Sequence, residues 1–259
     1  MRLLEDAKKV QHQHGSITLI RRAIDRVYRT LSYKANEIRF TTIGRPVIPM
    51  NTPAGKIQFE VDKEWSRLGE IASGVTYEPF LLRSLSKSLD EDSIFYNVGA
   101  RWGSISRFAL CHGVPPNQIH NFEANQERFT ILERNLEPEM YTKNIFVAEK
   151  YDQNHITLDK YAENHDHPTV IKIDVEGAEI PVLRGATGLI EEEMPELFIE
   201  IHPEYKHPVD DGKSKVIRLL QEAGYNVSVA MDHRSDMGEW VAPETVEMDT
   251  DGNYLIYAQ

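Results

Sequence analysis

The sequence predicts an α/β protein built on an open, largely parallel sheet with helices on both faces, and three observations carry that prediction. From about residue 94 onward, strand-like apolar runs alternate with helix-like stretches, the pattern of crossover connections between parallel strands. Ile171-Lys172-Ile173 ends in Asp174-Val175-Glu176-Gly177, as a buried parallel strand does when it delivers carboxylates to a loop and then a helix. Ile94 to Val98 forms a second such run and leads into Gly99-Ala100-Arg101-Trp102-Gly103, a glycine turn that opens a helix. In sheets of this kind ligands collect at the carboxyl ends of the strands.

The elements follow in order. Residues 16–32 set Ile17, Ile20, Ile24, Val27, Tyr28 and Leu31 at helical spacing, with arginines on the other faces and Ser16 as N-cap, which makes a basic amphipathic helix. Such a helix either packs on the main domain or a second subunit, or lies on an anionic membrane surface. Ile38 to Ile43 and Ile57 to Val61, separated by Pro46, Pro49, Pro53 and Gly55, read as a small antiparallel ribbon. From Glu78-Pro79, Phe80, Leu81, Leu82, Leu85 and Leu89 make a helix that runs into the first core strand. Strands then fall at 94–98, 119–123, 144–148, 169–174, 196–201, 225–230 and 253–258, with helices near 103–112, 125–136, 178–191 and 213–223. The polar 148–168 connection has only Leu158 to Tyr161 as an ordered-looking part. The chain thus divides into an N-terminal extension over 1–75 and a main domain over 76–259.

Composition excludes several function classes. A formal net charge of -12 over 259 residues argues against a nucleic-acid backbone as partner, since phosphate neutralisation needs a basic surface. The charge is uneven: residues 1–45 carry Arg2, Lys8, Lys9, Arg21, Arg22, Arg26, Arg29, Lys34, Arg39 and Arg45 against Glu5, Asp6, Asp25 and Glu37. The single cysteine, Cys111, cannot form an intramolecular disulfide, and its apolar helical surroundings read as an inert core thiol in a reducing compartment. Arg21, Arg22, Asp25, Arg26 and Arg29 interrupt the N-terminal apolar residues, so no signal or spanning segment is expected. A cytoplasmic protein is expected, membrane-peripheral if the 16–32 helix takes that role.

Gly99 and Gly103 let the backbone approach a ligand and let the next helix begin beneath it, with amides ready for a carboxylate or phosphate. Glu123 lies 20 residues past Gly103 at the end of the next strand, where an acid can accept both hydroxyls of an adenosine ribose. Residue 101 is Arg where a dinucleotide turn needs its second glycine, which disfavours NAD.

Taken together, Phe95 to Gly103, Phe122-Glu123-Ala124-Asn125, Leu158-Asp159, Ile171 to Glu179 with Leu183-Arg184-Gly185-Ala186, and Ile199-Glu200-Ile201-His202 resemble the successive motifs of FkbM-type S-adenosylmethionine-dependent methyltransferases. The resemblance covers roughly residues 75–205. It implies a class I methyltransferase (Rossmann-like) fold, a seven-stranded sheet with a reversed final strand, and O-methylation of a hydroxyl on a sugar, glycan or related metabolite. It further implies that Gly99, Ala100 and Gly103 hold the methionine end of S-adenosylmethionine. Glu123, with Ala124 beside it, would hold the ribose; Ala148 and Glu149 would border adenine, and Glu78 would close over the cofactor. Asp174 and Glu176 would sit where the sulfonium methyl meets the acceptor.

Methyl transfer to a hydroxyl needs alignment and removal of one proton. Asp174, Glu176 and His202 are the candidate bases, His202 because its ordinary pKa lies near working pH. Glu179 and Lys172 are expected to cap the helix and pair with neighbours. Asp174, Glu200 and His202 could form an oxygen-rich metal site, but carboxylates near a sulfonium need no metal to explain them, and none is assigned.

Two positions depart from the family pattern. Asn97 stands where the family usually has Asp to complement the cofactor's ammonium, and Arg101-Trp102 replaces a smaller or neutral pair. Asn97 keeps an acceptor without charge, whereas Arg101 would either pair with the cofactor carboxylate or favour another anionic ligand. These two residues motivate the alternative of a non-catalytic ligand-binding relative, and the 16–32 helix that of a membrane-peripheral scaffold. A homo-oligomer is compatible with both.

Overall fold

Alternation of apolar runs with amphipathic stretches becomes one sheet covered on both faces. The computed structural model describes residues 26–36, 38–39, 45–202, 212–245 and 252–259. A helix over 26–36 (α1) precedes the hairpin β1 (Val47–Thr52) and β2 (Gly55–Glu60), then α2 (Leu68–Ala72) and α3 (Pro79–Leu85). There follow β3 (Phe95–Val98), α4 (Ser104–Cys111), β4 (Ile119–Phe122), α5 (Gln126–Asn135), β5 (Tyr141–Lys143), β6 (Phe146–Val147), β7 (His155–Ile156) and α6 (Leu158–Ala162). The last part holds β8 (Val170–Ile173), α7 (Glu179–Arg184), α8 (Thr187–Glu192), β9 (Glu196–Ile201), α9 (Gly212–Glu222), β10 (Val227–Ala230) and β11 (Tyr254–Ala258).

Seven strands join in the order β10-β11-β9-β8-β3-β4-β5. β3, β4, β5, β8 and β9 run parallel to one another, whereas β11 is antiparallel to both β9 and β10. The expected seven-stranded α/β sheet with a reversed last strand is therefore the observed one.

The two-residue period of a strand sorts the core. Tyr96, Val98, Ile171, Ile173, Ile199 and Ile201 pack on one face with apolar residues of α6, α7, α8 and α9. Phe95, Ile119, Val170 and Phe198 pack on the other with α3, α4, α2 and the hairpin. Following the same period, Asn97, Asn121, Lys172 and Glu200 continue this second face towards the carboxyl ends of the strands, and all four are buried. A polar layer thus lies where the fold places its ligand crevice.

Local chemistry fixes the ends. Asn125 accepts hydrogen bonds from the amides of Glu127 and Arg128 and starts α5, and Thr157 caps α6 through the Lys160 amide. The carboxylate of Asp159 accepts from the amides of Gly188 and Leu189 at 2.9 and 3.0 Å, so the Leu158-Asp159 motif positions α8.

Several expected elements differ. The hairpin pairs Val47–Thr52, not residues 38–43, with Gly55–Glu60; residues 38 and 39 are helical, and 40–44 lie outside the described residues. Pro49 is compatible with this because both strands of a two-stranded ribbon are edges. The third sheet strand is Tyr141–Lys143; Phe146–Val147 pairs only with His155–Ile156. The expected helix over 178–191 breaks at Gly185-Ala186, where an added Cβ on Gly185 would sit 2.0 Å from the Ala148 carbonyl oxygen. Cys111 is exposed rather than buried, because it falls off the Ile105, Phe108 and Ala109 stripe that faces the core. Of the 16–32 helix, residues 26–32 are helical and 16–25 lie outside the described residues.

Candidate active site

A cavity of about 930 Å³ opens at the carboxyl ends of β3, β4, β8 and β9. It sits where the chain moves from β3 to β4 on one side and to β8 on the other, the position at which an open sheet leaves a crevice.

The glycine turn after β3 forms its floor. Gly99 has φ +79°, and a Cβ there would lie 1.8 Å from the Asp174 carbonyl oxygen. Gly103 has φ +81° and abuts Leu132 and Leu136. The turn's own amides are engaged within the fold: those of Gly99 and Ala100 both donate to the Phe122 carbonyl at 2.9 Å, and that of Arg101 donates to Glu123 Oε2 at 2.8 Å. Close packing against β4 and β8 is what the turn achieves. Glu123 Oε1 accepts from the Asn125 amide at 2.8 Å, so its carboxylate is held rigidly at the rim. Burial raises its pKa, against the opposing effect of these two amides.

The predicted cofactor residues separate into two sets. Gly99, Arg101, Glu123, Ala124 and Asp174 line the cavity. Asn97, Ala100, Gly103, Ala148, Glu149 and Glu78 do not. Asn97 is fully buried, donates to Ser106 Oγ at 2.8 Å, and belongs with Ser106 and Asn121 to a network beneath α4. Ala100 packs on Phe129 and Leu132. Glu149 pairs with Arg184 at 3.1 Å, and Ile145, Phe146 and Val147 form the wall instead. The Arg101 guanidinium stacks 4.0 Å from the Trp102 ring centroid, which occupies its charge on an aromatic face.

The carboxylates after β8 have different surroundings. Asp174 Oδ2 accepts from the buried Lys172 Nζ at 3.0 Å, and Oδ1 lies 3.5 Å from His202 Nε2. Glu176 stands at φ +51°, its side chain 44% exposed and 3.6 Å from Arg128 Nη1. Turning through Gly177 therefore lifts Glu176 to the rim while Asp174 stays at the bottom. Glu179 Oε1 accepts from the Gly177 amide at 3.0 Å and lies 3.5 Å from His202 Nδ1, so Glu179 and Lys172 pair with neighbours as expected, whereas no side chain caps α7.

Glu200, buried at the end of β9, accepts from Arg234 Nη2 at 2.6 Å and Asn253 Nδ2 at 3.0 Å. It also lies 3.3 Å from His233 Nε2. Burial alone would raise its pKa, but His233, Arg234 and Asn253 hold it well below the carboxylate range. Asp174, Glu200 and His202 present ligand atoms within 4.8 Å of one another. Lys172 and Arg234 already neutralise those two carboxylates. Sequence reasoning missed Arg234 and Asn253; the charged Asp232-His233-Arg234 triplet between two strands was the signal for Arg234, and Asn253, next to the last strand, had none.

Charge balance governs the cluster. Glu78, Asp174, Glu179 and Glu200 meet two permanent cations, Lys172 and Arg234, so the excess negative charge retains protons. Burial first, then Glu200 and Asp174, push the pKa of Glu78 up to about 7, against the pull of Lys172. Burial would lower that of His202, but Glu179, Asp174 and Glu200 raise it. Glu78 also sits in the left-handed region at φ 46°, as do Arg101 and Glu176, and such strain concentrates at functional sites.

One consequence is measurable. Between pH 4.5 and about 7 an unfolded Glu78 is ionised while the folded one is protonated, so the native state binds more protons and stability falls as pH rises through this window. Glu78→Gln should flatten that part of the melting-temperature profile relative to the parent protein. Parallel profiles would show that Glu78 is ionised in the fold.

Comparison with known proteins follows from this geometry. Residues 57–227 match the family described as Methyltransferase FkbM domain. No curated protein matches the sequence. Among solved structures, a methyltransferase FkbM from Methylobacillus flagellatus KT aligns at 16% identity and TM-score 0.48, over 66% of this chain and 44% of that one. This chain thus spans less than half the length of that relative. A precorrin-6y C5,15-methyltransferase from Geobacter metallireducens GS-15 aligns at 16% identity and TM-score 0.48, over 78% and 93% of the two chains. Aeropyrum pernix fibrillarin, with bound S-adenosyl-L-methionine, aligns at 13% identity and TM-score 0.44, over 66% and 68%.

Proposed function

The chain belongs to the FkbM methyltransferase family, and from that premise we propose that it is an S-adenosylmethionine-dependent O-methyltransferase acting on a hydroxyl of a carbohydrate, glycan or related metabolite. The observation that carries the reading is Asp174. It stands at the bottom of the crevice on the Gly99 turn, with its carboxylate between Lys172 and His202.

The residues present fit the cofactor. The cavity has the volume of a small-molecule site, an apolar wall at Ile145 to Val147 for a planar base, and a fixed carboxylate, Glu123, for paired hydroxyls. Asn97 is off the cavity wall, so its lack of charge removes no contact there. This favours a working enzyme over a non-catalytic relative.

When bound, S-adenosylmethionine supplies a methyl group on a positively charged sulfur. Everything else falls to the chain. Asp174 receives the acceptor's hydroxyl proton, with Lys172 keeping the carboxylate oriented. His202 stands 3.5 Å away to stabilise or share that proton. Glu176, paired with Arg128 at the rim, contacts the acceptor on entry and is not needed for proton removal.

The test is cofactor binding followed by transfer. Glu123→Ala should weaken S-adenosylmethionine binding in calorimetry by about 1–3 kcal/mol. It should also lower the melting temperature of the free protein, since the Arg101 and Asn125 amides lose their acceptor. A labelled methyl donor offered with hydroxyl-bearing sugars and glycans should give methyl ethers detectable by mass spectrometry. Absence of cofactor binding sinks the enzyme reading; binding with transfer only to nitrogen, sulfur or carbon acceptors sinks the hydroxyl assignment.

A further inference from the structure

The N-terminal helix is docked the wrong way round for a helix that only stabilises its own fold. At 3.6 residues per turn, Val27 and Leu31 stack on one side of α1 with Tyr28 beside them, Ser32 falls at the border next to Tyr28, and Tyr33 and Asn36 lie on the far side. The polar side is the docked one: Ser32, Tyr33 and Asn36 are half-buried, and Asn36 Nδ2 donates to Ser73 Oγ at 2.8 Å. The apolar side faces water, with Val27 60%, Tyr28 74% and Leu31 62% exposed. Exposed Lys34 borders it, exposed Arg26 and Arg29 lie on the other side of the helix, and residues 26–36 contain no acid.

We propose that this outward apolar face seats the protein on an anionic lipid bilayer. Aliphatic residues and a tyrosine on one side, with lysine at the border and arginines on the other faces, are the composition of an interfacial helix, whose apolar face enters the headgroup boundary while its cations meet lipid charge. The rest of the molecule sets the orientation. Residues 1–45 hold ten Lys and Arg against four Asp and Glu, a net of +6, which leaves -18 for the remainder of a chain whose total is -12. An anionic surface repels that body and attracts the head, so the chain approaches helix first.

The experiment is co-sedimentation of the full chain with vesicles of phosphatidylcholine alone and of phosphatidylcholine mixed with phosphatidylglycerol. Binding is expected only with the anionic lipid and should weaken as salt is added. Lys34→Ala should lower the partition coefficient about fivefold. Leu31→Asp should lower it about tenfold or more with no change in melting temperature, because Leu31 is 62% exposed. The proposal is overturned by equal affinity for both vesicles, by no sedimentation with either, or by Leu31→Asp sedimenting like the parent. A dimer in analytical ultracentrifugation that Leu31→Asp dissociates, without vesicle binding by the parent, would assign the face to a second copy instead.

Discussion

Asp174→Asn should lower the methyl-transfer rate by about 10²–10⁴-fold, the contribution of a positioned base, while changing cofactor affinity much less. The substitution keeps volume and leaves an acceptor oxygen for Lys172, which donates to Oδ2 at 3.0 Å, so loop geometry should survive. What disappears is the charge that draws the hydroxyl proton. Losses confined to the rate, with the Michaelis constant nearly unchanged, would mark an interaction made in the transition state. His202→Ala, made in parallel, should shift the acid limb of the pH–rate profile, because the ring, whose pKa Glu179 and Asp174 raise, lies 3.5 Å from both carboxylates and would be gone. Glu176→Gln, at the rim with Arg128, should cost less than Asp174→Asn. If Asp174→Asn retains more than about a tenth of the rate, alignment alone drives the reaction and the base has been misassigned.

The core of the fold was legible because its strands are the most apolar segments of the chain. Phe95–Val98, Ile119–Phe122, Val170–Ile173, Glu196–Ile201 and Tyr254–Ala258 are buried almost throughout, and burial on both faces writes itself into sequence as continuous hydrophobicity. The third strand escaped for the converse reason. Tyr141–Lys143 is the sheet's edge, and two of its three residues are exposed, so it carries no such run. The neighbouring apolar stretch Ile145 to Val147 lines the cavity, and a hydrophobic wall for a ligand reads in sequence like a strand. Hydrophobicity reports burial but not its partner.

The site was legible only along the chain. Gly99, Glu123 and Asp174 lie at strand ends that the periodicity locates, and all three reach the cavity. Asn97 precedes Gly99 by two residues and stays on the α4 face, bonded to Ser106, because the turn begins only after Val98. The neutralising partners come from far along the chain, Arg234 to Glu200, and depend on where the reversed strand β11 brings the preceding turn. Such pairings leave no periodic trace. Burial and, after it, clustered negative charge lift the pKa of Glu78 to about 7, and both were likewise invisible until Glu78, Asp174 and Glu200 met in space.

Gly99→Ala should destabilise the fold by roughly 2–6 kcal/mol, combining a left-handed backbone for a residue with a Cβ and overpacking in a filled space. Both costs arise at one point. The turn passes so close to β8 that the new methyl would overlap the Asp174 carbonyl oxygen at 1.8 Å, and the nearest atoms are backbone that cannot rotate away. Gly113 separates the two contributions, since it has φ +99° with nothing within 4 Å of an added Cβ. Gly113→Ala therefore pays the backbone cost alone, about 1–2 kcal/mol, and the difference between the two variants in urea unfolding isolates the contact. Relief of the overlap requires β3 and β8 to separate at their carboxyl ends, which would carry Asp174 away from the cavity floor. Gly99→Ala should consequently lose turnover even at temperatures where it remains folded, whereas Gly113→Ala should not. Equal unfolding midpoints for the two would mean that the strand ends are free to part, and that the close approach of the Gly99 turn to Asp174 is not what fixes the crevice.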